Sequence, residues 1–307
     1  MLVYRGFSRT AQQSTVLTVG NFDGVHFGHR ALLARLQAVA KQSGLPSAVL
    51  TFEPHPREFF APDSAPARLT TLREKLELLA DDGVDRVHVC HFNARFAALT
   101  AEEFIERVLV DALCVRYLLV GDDFRFGARR AGDFALLQRA GERYGFRVEA
   151  MESVVAAGER VSSSAVREAL QSGQLVRAAQ LLGRSYSIDG RVVRGEQIGR
   201  QLGFATANMR IKHAKPPLQG VFAVEVRGLP DGPHRAVANL GVRPSAGLVH
   251  RLLLEVHLFD FNADIYGAHL NVRFLHKLRD EMKFPDFNAL KAQIARDVEV
   301  ARAYFQL

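Results

Sequence analysis

Apolar and polar positions follow two different rhythms along the chain. Residues 14–19, 47–52, 86–92, 116–120 and 146–151 are short runs rich in apolar residues that read as strands, the first of them buried. Between these runs the apolar spacing is helical. Leu32, Leu33, Leu36, Val39 and Ala40 mark a helix over 29–42, stopped by Gly44 and Pro46. Thr71 with Glu74, and Thr100 with Glu103, are capping boxes that open helices reaching Leu79 and covering 104–113. A further helix is expected over 132–144. Strands alternating with amphipathic helices predict parallel βαβ units in one doubly wound sheet.

After about residue 183 the apolar period drops to two. Short alternating runs cover 186–193, 220–227, 235–239, 252–259 and 269–275, punctuated by Gly and Pro. This spacing predicts a small β-barrel, followed by a terminal helix over 288–304. Helical runs at 164–171 and 175–182 stand between the two patterns. The expected fold is α/β: a doubly wound parallel-sheet domain over 1–184 and a small barrel with a terminal helix over 185–307.

Composition narrows the function classes. The chain has 307 residues, 48% hydrophobic and 24% charged, which supplies a core for each half and excludes disorder as the main state. No apolar run is long enough for a membrane-spanning helix, and the first residues lack the apolar block of a signal peptide. Two cysteines, Cys90 and Cys114, form no CxxC, so a cytoplasmic location without disulfides is expected. Net charge is +7. Residues 1–184 carry 23 basic against 21 acidic residues, and residues 185–307 carry 17 against 12. A basic excess favours anionic partners. With no Lys/Arg run of five, phosphorylated small molecules fit better than nucleic acid.

Candidate chemistry sits at the strand ends. Gly20-Asn21-Phe22-Asp23-Gly24-Val25-His26-Phe27-Gly28-His29 joins the first strand to the first helix. Ligands of open parallel sheets bind at the carboxyl ends of strands, and a helix N-terminus attracts phosphate. His26 and His29 can there flank the α-phosphate of ATP and stabilise charge as pyrophosphate leaves. The bland alternative is a Gly-rich turn with solvated histidines. Ser162, Ser163 and Ser164 open a later helix with Arg167 one turn in, either a second anion site or a plain N-cap with a surface Arg. Phe52, Pro54, His55 and Pro56 follow the second strand, and Asp122, Asp123, Phe124 and Phe126 follow the fourth. These aromatics and prolines can wall a flat ring, and the Asp residues can bind metal or hydroxyls; ordinary loop capping is the alternative. His88, Cys90 and His91 are too few for a zinc site.

The barrel half has no P-loop. It does have a Gly- and Arg-rich stretch with Gly195, Gly199, Arg200, Gly203 and Phe204, able to wrap phosphates with backbone N–H groups. Thr206 and Asn208 alternate to one face and offer the hard oxygen ligands that Mg²⁺ prefers. Glu255 shares a strand face with Leu253 and His257, opposite Leu254, Val256 and Leu258. There it is either a general base or a solvent-facing strand residue.

HxGH followed by a late Ser-Ser-Ser-x-x-Arg resembles the nucleotidyltransferase superfamily. GNFDGVHFGH, TFEPHP, GDDFRFG and VSSSAVR, in this order, resemble the FMN adenylyltransferase half of bacterial bifunctional riboflavin kinase/FAD synthetases. GFATAN, GVFAV, NLGVRPSAG, LEVHLFDFNADIYG and LRDEMKF resemble the riboflavin kinase half. The resemblance implies ATP-dependent phosphorylation of riboflavin to FMN, then adenylyl transfer to FMN giving FAD and pyrophosphate. It implies Mg²⁺, with ATP and flavins as substrates, and a monomer or weak homo-oligomer. It maps Thr206 and Asn208 to Mg-ATP, Glu255 to the catalytic base, and Arg279, Glu281 and Phe284 to the flavin side of the kinase. The family's Pro before Thr206 is Ala205 here, and Ser245 replaces a Thr. Losing Pro raises the entropy cost of fixing Thr206 and Asn208, so a looser kinase is expected. The alternatives are an adenylyltransferase with an impaired kinase half, or a binding module without activity.

Overall fold

Two units make up the chain: residues 1–66 with 72–162, and residues 67–71 with 163–307. The computed structural model describes residues 1–7, 13–195, 203–212, 215–243 and 251–307.

The first unit is built on a six-stranded sheet. Its strands are β1 (Leu2–Arg5), β2 (Thr15–Val19), β3 (Ser47–Glu53), β4 (Arg86–His91), β5 (Val115–Gly121) and β6 (Arg147–Met151). The order is β1-β4-β3-β2-β5-β6 and every pairing is parallel. Alternation along the strands fills two cores. Val16, Val49, Val87 and Leu119 face one way, toward α1 (Phe27–Ser43) and α2 (Leu72–Asp81), with Leu33, Leu36 and Leu79. Leu17, Leu50, Leu118 and Val120 face the other way, toward Phe104, Ile105, Leu109 and Leu137. Burial on both faces is why β2 and β3 place apolar residues at successive positions instead of alternating.

Three local features differ from the sequence expectation. β1 was not expected, because all four of its residues are exposed and it only edges the sheet beside β4. The Thr100–Glu103 capping box is present, but the helix it opens continues as a π-helix over Phe104–Ala112, with Leu113 N bonded to Val108 O. The next helix, α3 (Phe134–Tyr144), starts later than 132 because the Asp133 side chain caps it, accepting from Leu136 N at 2.9 Å.

In the second unit, α4 (Ser163–Gln171) and α5 (Leu175–Leu182) precede a closed barrel. The barrel strands are β7 (Ser187–Val193), β8 (Ala207–Arg210), β9 (Gly220–Arg227), β10 (His234–Arg243), β11 (Arg251–Leu258) and β12 (His269–Arg279). Their order is β8-β11-β10-β9-β12-β7, with all pairs antiparallel. Ile188, Met209, Phe222, Val224, Leu254, Val256, Val272 and Phe274 are buried in this unit. The terminal helix α6 (Phe287–Phe305) covers an outer patch of Val221, Ala223, Val237 and Phe259 through Val298, Ala301 and Phe305.

Among the described residues no helix is long and apolar enough to cross a membrane. Cys90 and Cys114 are free thiols, and burial pushes Cys90 up to about 12.

Candidate active sites

In the sheet unit, chain direction across the sheet reverses at β2. The chain leaves β2 toward β3, but leaves β5 toward β6 on the other side. Such a reversal opens a crevice at the carboxyl ends of the two strands. The Gly20–His29 loop follows β2, and the Asp122–Phe126 loop follows β5.

The first loop is tightly constrained. Phe22 and Val25 hold φ of 48° and 37°, a region unfavourable for residues with a side chain. Phe22, Asp23 and His26 are buried. His26 caps α1: its Nδ1 accepts from His29 N at 3.3 Å. Because Nδ1 accepts, the neutral ring carries its proton on Nε2, where it can donate. The His26 and His29 rings stack with centroids 3.6 Å apart, and Phe22 packs against His29 at 4.8 Å. A Cβ on Gly28 would come within 3.3 Å of the His26 ring, so glycine leaves that ring its place. Thr51 donates to Asn21 O at 3.2 Å and in turn takes a 3.4 Å contact from the buried Lys75 ammonium, tying the loop to β3.

Beside this loop lies a cavity of about 1120 Å³. Phe52, Pro56, Asp123, Phe124 and Phe126 line it together with Gly20 and Asn21. Phe60, Phe92, Phe96 and Phe104, which no sequence motif singles out, line this cavity as well. Phe52, Phe92 and Phe96 are mutually in contact at 5.7–5.8 Å between centroids. Only their meeting in the fold separates them from core residues. His55 plays a local part: its Nδ1 accepts from Arg57 N at 3.1 Å as the cap of a short helix, Pro56–Phe60, and Pro54 precedes it through a cis bond. Asp122 accepts from Ser153, and Asp123 pairs with Arg160 at 2.7 Å.

Ser163 and Ser164 begin α4, just after Ser162. Arg167 is buried, and its Nε donates to Ala67 O at 2.6 Å.

In the barrel, strand register brings the polar candidates together. Asn208 on β8 stands directly opposite Glu255 on β11, and Glu255 stands opposite Asn239 on β10. Directly opposed residues place their Cβ atoms about 4.5–5.5 Å apart. An amide, a carboxylate and an amide therefore form one row across three strands. Asn239 was missed from the sequence, because only the register reveals its neighbour. Asn208 is buried, and its amide lies against Gly195, where any Cβ would overlap it. Thr206 lines a separate cavity of about 350 Å³ with Val192, Phe261, Asp264 and Tyr266. Phe204 packs edge-on against His257. Gly203 is described; Gly199, Arg200 and Ser245 lie outside the described residues.

Arg279 is held by a partner the sequence did not reveal. Buried Asp297 on α6 accepts from its Nε at 2.9 Å and its Nη2 at 2.7 Å, and Gln293 also donates to Asp297 at 2.8 Å. The Arg279 guanidinium stands 5.8 Å from the Phe284 ring centroid. Glu281 lies over Gly241, two residues along β10 from Asn239, in space that a side chain at 241 would fill.

Among the described residues no cluster of three His, Cys, Asp or Glu could hold a metal. Thr206 and Asn208 offer a hydroxyl and an amide oxygen, hard donors of the kind that Mg²⁺ prefers beside nucleotide phosphates.

Comparison with known proteins follows the same division. The FAD synthetase family model matches residues 8–165, and the riboflavin kinase model matches residues 182–305. A bifunctional riboflavin kinase/FMN adenylyltransferase of Escherichia coli K12 is 52% identical over 98% of this chain and 96% of its own length. The protein of that name from Pseudomonas fluorescens is 48% identical over 96% and 94%. A solved structure from Streptococcus pneumoniae described as a macrolide-efflux protein is 28% identical, with a TM-score of 0.84 over 98% of this chain and 99% of its own.

Proposed function

The chain belongs to the bifunctional riboflavin kinase/FMN adenylyltransferase family, and from that premise we propose how its residues divide the two reactions. It is an enzyme of flavin-cofactor synthesis that phosphorylates riboflavin to FMN and adenylates FMN to FAD. Both family models match, which leaves a chain reduced to the adenylyltransferase without support. We draw the functional boundary between residues 184 and 185.

In the barrel, the terminal ribityl hydroxyl of riboflavin attacks the γ-phosphorus of ATP. Glu255 takes the hydroxyl proton, and ADP leaves. Thr206 and Asn208 would hold Mg²⁺, which would neutralise phosphate charge there. We assign Gly195, Gly199, Arg200, Gly203 and Phe204 to nucleotide binding, and Arg279, Glu281 and Phe284 to flavin binding. In the sheet unit, an FMN phosphate oxygen attacks the α-phosphorus of ATP and pyrophosphate leaves. His26 donates from Nε2 to the charge that builds on the α-phosphate, with His29 beside it. To the nucleotide phosphates we assign Gly20, Asn21, Phe22, Asp23, Gly28 and Ser162 of this unit, and the family motif adds Ser163, Ser164 and Arg167, which the fold carries in the second unit. Phe52, Phe124 and Phe126 wall the isoalloxazine ring, with Pro54, His55, Pro56, Asp122 and Asp123 shaping the adjoining loops.

The observation that carries this reading is the row Asn208–Glu255–Asn239 in one unit alongside the stacked, helix-capping His26–His29 pair in the other. Small molecules are its partners, without nucleic acid. The free thiols support a cytoplasmic location, and a monomer or weak homo-oligomer is the assembly expected. The test is product chromatography from two mixtures, riboflavin with Mg-ATP and FMN with Mg-ATP. FAD from both is expected. FAD from FMN alone would remove the kinase assignment.

A further inference from the structure

Four arginines stand in the lining of the aromatic cavity. Arg57, Arg125, Arg129 and Arg130 all line it. Arg125 faces Asp133 at 3.5 Å. The side chains of Arg57, Arg129 and Arg130 make no hydrogen bond or ion pair among the described residues. The carboxylate on the cavity wall, Asp123, is already paired with Arg160. A cavity lined by aromatic rings and by arginines without a carboxylate partner suits a flat aromatic ligand that carries an anionic tail.

The backbone supplies an independent observation. Arg129 and Arg130 both lie in the left-handed region, with φ of 55° and 58°. Consecutive non-glycine residues there are strained. The surrounding loop imposes the conformation. Phe126 and Gly132 exchange N–H···O bonds of 3.2 and 2.9 Å, and Ala128 N donates to Leu99 O at 2.7 Å. Gly127 sits so close to Ala101 that a Cβ would come within 2.7 Å of its backbone. Glycine would meet the demand at 129 and 130 without strain. What the strained loop retains is two arginines that line one cavity.

We infer that Arg129 and Arg130 form an anion subsite that binds the phosphate of the flavin mononucleotide, selecting the phosphorylated flavin over the uncharged one. The inference rests on reading this cavity as the flavin site of the adenylyltransferase, and adds which residues recognise the charge. Guanidinium forks match phosphate oxygens. They also offset the repulsion between the FMN phosphate and the triphosphate it must approach.

The test uses the full chain with Arg129→Gly, Arg130→Gly and the double substitution. Adenylyl transfer is followed with FMN and ATP varied separately, and riboflavin phosphorylation on the same protein is the control. The double variant is expected to raise KM for FMN about tenfold or more. KM for ATP and kinase turnover stay unchanged, and the melting temperature holds or rises as strain is released. Lysine at both positions restores part of the FMN affinity. An unmoved KM for FMN, or a rise in KM for ATP alone, overturns the inference. Phe124→Ala separates the two readings. If it raises KM for FMN while the glycine variants do not, the cavity holds flavin and only the anion subsite fails. If neither moves it, the cavity reading fails too.

Discussion

Nδ1 of His257 lies 2.8 Å from the carbonyl oxygen of Ala205. This bond anchors the segment entering β8 from the neighbouring strand β11, at the position where the family's proline is missing. The imidazole N–H supplies by a tertiary contact part of the restriction that the proline ring supplies covalently. The looser kinase expected from Ala205 is thereby offset. His257→Leu should raise KM for Mg-ATP in riboflavin phosphorylation roughly fivefold, the worth of about 1 kcal/mol. Ala205→Pro should change the native enzyme little but recover activity in the His257→Leu background. A large gain from Ala205→Pro in the native chain would show that His257 does not compensate.

His26 caps α1 and is the residue we assign to adenylyl transfer, so the two roles need separate substitutions. His26→Asn keeps a capping acceptor, whereas His26→Ala removes it at about 1 kcal/mol of stability. Both should lower adenylyl transfer about 10²–10³-fold, the usual loss of one preorganised donor. Riboflavin phosphorylation should continue, so a riboflavin mixture accumulates FMN. Product chromatography and a thermal melt on each variant distinguish the roles.

Much of this arrangement is readable before folding. Runs such as 47–52 and 116–120 are buried on both sides, and a strand between two cores leaves that mark in its own sequence. β1 leaves none, because its residues are exposed and only the edge of β4 fixes it. His26 and His29 stand within one local motif and were legible. Asn239 and Asp297 were not, since their meaning depends on register and on where α6 packs. Phe92 and Phe96 read as core residues for the same reason: a side chain lining a cavity and one filling a core look alike in one dimension.

Glu255→Gln preserves the shape of the row across β8, β11 and β10 but removes the proton acceptor. Riboflavin kinase kcat should fall about 10²–10⁴-fold. Adenylyl transfer to supplied FMN should be unchanged, which makes each chain its own folding control. Asn239→Ala should lower the same kcat by a smaller factor, about tenfold, through loss of the amide beside the carboxylate. Steady-state assays of both reactions decide it, and equal losses in both would mean a folding defect instead.

Gly241 leaves space that the Glu281 carboxylate occupies. Gly241→Ala must displace Glu281, so KM for riboflavin should rise while the adenylyltransferase constants hold. Glu281→Ala in the same background should then add little, because the two substitutions remove one interaction. Additive losses would show that Glu281 does not act through this seat.

Arg35 on α1 grips Glu149 on β6 through bonds of 2.8 and 2.9 Å, and Tyr117 also donates to that carboxylate. The Arg35 hydrogen bonds, foremost, hold the Glu149 carboxyl below its ordinary range, against a desolvation cost. A carboxylate depressed in the folded state binds its proton more readily when unfolded. Its contribution is therefore fully present above the ordinary carboxylate pKa and is lost as pH falls through the depressed folded value. Both groups are partly exposed, so solvent screening keeps the contribution of the pair small. Glu149→Gln should melt a few degrees lower than the native chain at neutral pH, and the gap should close as the solution is acidified below the carboxylate range. A gap that stays constant with pH would assign the loss to packing around Tyr117 instead of to the ion pair.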